Sequence, residues 1–174
     1  MRTAITAIAL TAALTLTAHG EYVTAKEGLR VRSKPNLEAE IVKVVPFGEE
    51  VEGTITNGWM QTADGFLKAS YLSEDNPLDQ YTYMGEWVLT AYFETGQQTA
   101  SGLWPEEGTT LAHNTLPFGT QIYVQGYGFW EVQDRGPQSM GTEWADLYLA
   151  DFDTCVQFGT KNAKVYLVPE KEMP

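Results

Sequence analysis

The chain has 174 residues, 43% of them hydrophobic, and its 23 acidic and 11 basic residues give a net charge of -12. That length fits one ordinary domain or two small ones. No Lys/Arg cluster offers the phosphate neutralisation that nucleic-acid binding or attachment to an anionic membrane demands, and the single cysteine, Cys155, leaves no internal disulfide.

In chain order, residues 1–20, "MRTAITAIALTAALTLTAHG", hold one basic residue, Arg2, followed by an uncharged Ala/Leu/Thr/Ile run. The apolar centre is shorter than the ~20 residues a spanning helix needs. It predicts a secretory signal cut near Ala18 to Gly20, after Leu16-Thr17-Ala18. The expected location is outside the cell or in the periplasm, with no membrane attachment after cleavage.

Residues 21–74 read as short alternating runs ("LRVR", "IVKVV", "EVEGTI", "WMQT") separated by Pro35, Pro46-Phe47-Gly48, Asn57-Gly58 and Asp64-Gly65. Strands of four to six residues punctuated this way predict a small all-β barrel. Leu29 and Val31 point inward, Arg30 and Arg32 outward, and Trp59 is a core residue of an alternating strand. The segments "GLRVRSKP", "PFGEEVEG", "NGWMQT" and "GFLKASYL" resemble, in order, the sequence marks of the bacterial SH3-like (SH3b) family. That resemblance implies a domain that tethers its enzyme to the cell wall; packing against the neighbouring domain is the alternative role.

Residues 75–84 break the periodicity with Asn76-Pro77 and acidic side chains, and read as a linker. A second β pattern occupies 85–168, starting at "WVLTAYF". "QIYVQGYGFWEVQD" predicts a hairpin turning at Gly126-Tyr127-Gly128. "LADFDTCVQFG" predicts one short helix, with Leu149, Phe152, Cys155 and Val156 on a buried face and Gly159 ending it. "AKVYLV" forms the last strand, and 169–174 are a tail. The fold class is all-β, mainly β with one short helix, and the second unit is expected to close as a barrel.

Much chemistry is excluded. After signal removal His113 is the one remaining histidine besides His19 at the cut, so zinc sites built on two or three histidines are unavailable. Cys155 reads as a core cysteine rather than a nucleophile. No Gly-x-Ser-x-Gly elbow and no Walker or dinucleotide glycine pattern occurs. No cofactor or metal is called for. Carboxylates remain: Asp134 closes one strand and Asp146 opens the next element, across "RGPQSMGTEWA". Such a connection can bring both to one mouth of the barrel. A second carboxylate or burial raises an Asp pKa toward what acid catalysis of glycoside cleavage needs.

Within 85–168, "LTAYF", "TASG", "AHNTLPFGTQIYV", "GYG", "VQDRGP", "ADLYL" and "QFGTKNAKVYLV" resemble, in order, the three-aspartate (3D) domain and the related double-psi β-barrel of rare lipoprotein A. The resemblance implies a six-stranded double-psi barrel and lytic cleavage of peptidoglycan glycan strands; expansin-like relatives loosen walls without cleavage. It departs from the three-aspartate pattern twice. The first aspartate is missing, with His113 standing near its place, and Asp146 follows Asp134 at one residue more than the usual spacing. The three-aspartate pattern implies Asp146 as general acid/base and Asp134 as its charged neighbour; "DRGP" implies the reverse. His113, Thr99, Ser101, Tyr92 and Arg135 are then the expected substrate-binding residues, with Arg135 also able to pair with an acid such as Glu131. The expected partner is the glycan strand of peptidoglycan, bound by a monomer. From Asp75 onward fourteen acids face four bases, so an acidic protein-interaction module is a third reading.

Overall fold

The computed structural model describes residues 19–93, 96–149 and 151–169. The predicted signal segment before His19, and the tail after Pro169, lie outside the described residues. Among the described residues the fold is mainly β with one α-helix, built as a seven-stranded antiparallel sheet followed by a closed six-stranded barrel.

The sheet comprises β1 (His19–Val23), β2 (Leu29–Arg32), β3 (Ile41–Val45), β4 (Glu50–Thr56), β5 (Trp59–Gln61), β6 (Phe66–Lys68) and β7 (Leu72–Ser73), in the order β3-β2-β6-β5-β4-β1-β7. Leu29 and Val31 do point into its core, with Val23, Val45, Met60 and Leu67. Trp59 is buried as expected. The alternation expected of "IVKVV" is absent: at the edge of the sheet, β3 leaves Ile41, Val42 and Val44 exposed and only Val45 buried.

The barrel comprises β8 (Thr82–Tyr92), β9 (Thr110–Ala112), β10 (Gln121–Val124), β11 (Gly128–Asp134), β12 (Trp144–Tyr148) and β13 (Lys161–Leu167). It closes in the order β10-β11-β9-β12-β8-β13. β9 runs parallel to β11 and β12 parallel to β8, while the other neighbours are antiparallel. Trp87, Leu89, Leu111, Ile122, Trp130, Val132, Ala145 and Leu147 fill the interior. The predicted hairpin is β10–β11, and the predicted last strand is β13.

Two expectations need correcting. The helix, α1 (Phe152–Phe158), starts three residues later than expected because Asp151 caps it, accepting from the Thr154 N–H and Oγ1. Gly159 ends it at φ +61°. None of its residues is buried: Phe152 is 58% exposed, and Cys155 is only partly covered rather than a core residue. The helix rests on the barrel wall, and its apolar stripe is turned largely to solvent.

The expected linker is also structured. Asn76 Oδ1 accepts from the Leu78 N–H and Pro77 opens a 3-10 turn over Pro77–Gln80, so the breaker residues act as a cap. β8 begins at Thr82, immediately after it. Leu78 and Tyr81 are buried with Phe47 of the sheet and Tyr123 and Val168 of the barrel. Phe47 meets Tyr123 edge-on at 5.3 Å, and Tyr123 Oη donates to the Phe47 carbonyl at 2.6 Å. Gly48 sits at φ +74°, and a Cβ there would stand 2.5 Å from Leu78 Cγ. The sheet therefore packs directly on the barrel.

Burial pushes the Tyr123 phenol up to about 12 from 10.0. Between those values the unfolded chain loses its phenolic proton first, so stability falls as pH rises. Urea titrations at pH 8 should show Tyr123→Phe destabilised by about 1–3 kcal/mol, the cost of an orphaned buried carbonyl. At pH 11 the gap should narrow, because the variant has no phenol to titrate; an unchanged gap would contradict this assignment.

Candidate functional site

Side chains alternate across a strand. Because Ala145 and Leu147 face the barrel interior, Trp144, Asp146 and Tyr148 face outward. Likewise Leu89 is interior, placing Thr90 and Tyr92 on the same outer face. Both pairs are register partners: Asp146 opposite Thr90, and Tyr148 opposite Tyr92.

On β11 the same rule would send Asp134 inward, since Trp130 and Val132 are in the core. A register shift between Val132 and Asp134 prevents it: Gln133 is the extra residue, and Asp134 becomes the partner of Ala112. Ala112 is also the partner of Asp146, from the other side of β9. The two aspartates therefore lie level with each other, one strand either side of a buried alanine, with Cα atoms about 10 Å apart at two strand spacings. By alternation both side chains face outward, and Asp134 and Ala112 are the last residues of their strands.

Their surroundings differ. Asp134 Oδ1 accepts from the backbone N–H groups of Ala100 (2.9 Å) and Arg135 (2.8 Å), and Oδ2 accepts from Tyr92 Oη (3.1 Å). Three donors face it, the setting of a charged acceptor. Asp146 Oδ1 accepts from Thr90 Oγ1 at 2.8 Å, and that hydroxyl accepts from Trp144 Nε1 at 2.8 Å. Burial raises the Asp146 pKa; the Thr90 bond opposes this, and the Asp134 charge adds to the rise. Tyr92 is pushed up by burial and then by Asp134, so its hydroxyl keeps its proton and remains a donor.

The other expected site residues meet protein partners with their polar atoms. His113 follows Ala112 and so points inward: it is 1% exposed and stacked on Trp87 at 4.8 Å. Its Nε2 reaches the Thr142 carbonyl at 3.0 Å and its Nδ1 accepts from the Leu116 N–H at 3.1 Å. Both nitrogens are engaged, so no atom of the ring is left for substrate. Thr99 is buried; its Oγ1 donates to the Leu103 carbonyl and contacts Ser101 Oγ, closing the turn that aims Ala100 at Asp134. Arg135 donates through Nη1 to the carbonyls of His113 (2.7 Å) and Asp134 (3.3 Å), with its guanidinium 3.7 Å from the Phe118 ring centre. It does not pair with Glu131, whose carboxylate accepts from Gln121 and Gln133 instead.

Thr90, Trp144, Tyr148 and the Ala100 N–H were missed by sequence reasoning. The first three were within reach of it, since "LTAYF" and "WADLY" place them two residues from an outward-facing position. The Ala100 contact depends on loop closure and carried no such signal. Among the described residues no group of three His, Cys, Asp or Glu side chains is placed to hold a metal ion. No family model and no curated protein matches the chain.

In carboxyl NMR titrations Asp146 should titrate above the ordinary carboxylate range, and Asp134→Asn should lower that value by removing a like charge; an Asp146 pKa indifferent to the variant breaks the pair. Because the folded pKa is raised, the folded state holds the proton longer, and stability falls as pH rises through that window. Asp146→Asn should flatten that fall in thermal melts. His113→Ala should lower Tm markedly, the loss of a buried, stacked and fully bonded ring.

Proposed function

We propose that this protein is a secreted peptidoglycan-remodelling enzyme, a lytic transglycosylase that cleaves the β-1,4 bond between N-acetylmuramic acid and N-acetylglucosamine. The observation that carries the reading is the unlike pair. One carboxylate is held by three donors, while its neighbour has one donor and a raised pKa. Environments that push two carboxyl groups apart assign an acid and an electrostatic partner.

In this mechanism Asp146, protonated, gives its proton to the glycosidic oxygen leaving the muramic acid C1. The negative charge of Asp134 stabilises the oxocarbenium-like transition state. Asp146, now a carboxylate, takes the proton of the sugar's own C6 hydroxyl as that oxygen bonds to C1. The product is a 1,6-anhydro sugar, and no water is consumed. The attacking hydroxyl is tethered to the reacting carbon, which replaces water activation by proximity.

The finer fold reading belongs with this function. Two parallel pairs, β9 with β11 and β8 with β12, in a closed six-stranded barrel support the double-psi assignment. The motifs of the first sheet support an SH3-like wall-binding unit, and Trp59, Tyr71, Arg30, Arg32 and Lys68 line a cleft of about 630 Å³ on it.

Digestion of purified sacculi is the test. Wild type should release 1,6-anhydromuropeptides. Asp146→Asn should lower the rate by roughly 10²–10⁴, the usual worth of a general acid. Activity should decline as pH rises through the Asp146 pKa. New reducing ends without anhydro products would make the enzyme a hydrolase. Binding without soluble fragments would replace the proposal with non-catalytic, expansin-like wall loosening, and salt-sensitive capture of a basic protein without glycan binding would favour an interaction module.

A further inference from the structure

The barrel exposes several large apolar side chains, Tyr83, Val88 and Phe118 among them, and five others belong together. Phe93, Leu103, Trp104, Phe152 and Val156 are all exposed, and all belong to segments that hold or border the two aspartates. Leu103 and Trp104 stand at the end of the turn that grips Asp134, where the Thr99 N–H and Oγ1 both donate to the Leu103 carbonyl (2.8 and 3.0 Å). Phe93 follows Tyr92, the phenol bound to Asp134. Its ring meets Phe152 edge-on at 5.6 Å and 74°, and Phe152 opens α1, shortly after β12. The charge of Asp146 is felt on the same helix, where after burial it is the next cause raising the Cys155 thiol.

Clustered apolar exposure of this kind marks a binding surface. We propose that Trp104, on the Asp134 side, and the Phe93–Phe152 pair, on the Asp146 side, are two aromatic platforms on which a polysaccharide lies as it crosses the carboxylates. This rests on the glycan-cleaving reading and adds the residues that grip the chain. The occupant follows from the chemistry around it. Two carboxylates disfavour a ligand with a phosphate on every unit, and the nearby guanidinium of Arg135 is spent on backbone carbonyls and on Phe118. An apolar helix or lipid tail would cover the carboxylates without offering them donors, which is costly. A sugar chain offers hydroxyl donors at its edges and flat CH faces for the rings. Its path runs across β11, β9, β12 and β8 rather than along them, with the scissile bond between the platforms.

The protein supplies its own reporter. Trp59, Trp87 and Trp130 are buried and Trp144 is half-buried, whereas Trp104 is 64% exposed. Acrylamide quenching of the full chain should be measured while it is titrated with peptide-free peptidoglycan glycan strands. Binding should protect the Trp104 emission. Trp104→Ala and Phe152→Ala should each weaken binding about three- to tenfold, the worth of one aromatic stacking contact, with thermal melts unchanged because both side chains are exposed. If wild type binds and cleaves glycan while both variants bind equally well, the platforms are wrong and the enzyme reading stands. If wild type binds no glycan at all, both fall.

Discussion

One extra residue in β11 governs the site. Gln133 is bulged out of the ladder between Val132 and Asp134; as a regular ladder residue it would let the period of two carry Asp134 into a core of Trp130, Val132 and Leu147. A bare carboxylate there would be intolerable. With the bulge, Asp134 turns outward and lands level with Ala112. Gln133 occupies the displaced position, buried, with its Oε1 accepting from Thr110 Oγ1 at 2.8 Å. The irregularity is thus fully bonded, and its product is a second outward carboxylate at the height of Asp146.

The strand between them is only three residues long, and its contribution is a small side chain. Ala112, itself buried, sets one methyl group between the aspartates, and the Asp134 charge is felt at Asp146. His113, next in sequence, anchors β9 from below by stacking on Trp87. Residues that looked like ligands in the sequence serve this geometry from behind. Thr99 closes the turn above Asp134, and Arg135 ties the end of β11 to that of β9 through the His113 carbonyl.

The mainly-β class, the β10–β11 hairpin and the closing strand were legible because alternation and turn residues report local backbone geometry. So was the closeness of Asp134 to Asp146, although their outward facing at one level was not, since it depends on a bulge that alternation cannot display. The helix misled because its apolar stripe promised burial, whereas Phe152 and Val156 face water. The stretch 75–84 misled in the opposite direction. Asn76 and Pro77 break periodicity, but the same chemistry caps a turn, and Leu78 and Tyr81 are the residues that show it is packed. His113, Thr99 and Arg135, expected to bind substrate, meet protein partners with their polar atoms. A sequence shows that a polar residue needs a partner, not which one it finds.

The seam between sheet and barrel has a mechanical consequence. Leu78 against Gly48, the Phe47–Tyr123 edge contact and the phenol bound to the Phe47 carbonyl leave no slack chain between the two units. Tandem modules on a floppy tether search a volume, and their local concentration is set by tether length. Here the offset between the cleft on the sheet and the row of aspartates is a fixed dimension of the molecule. A long ligand touching both is measured as well as held, as by a caliper.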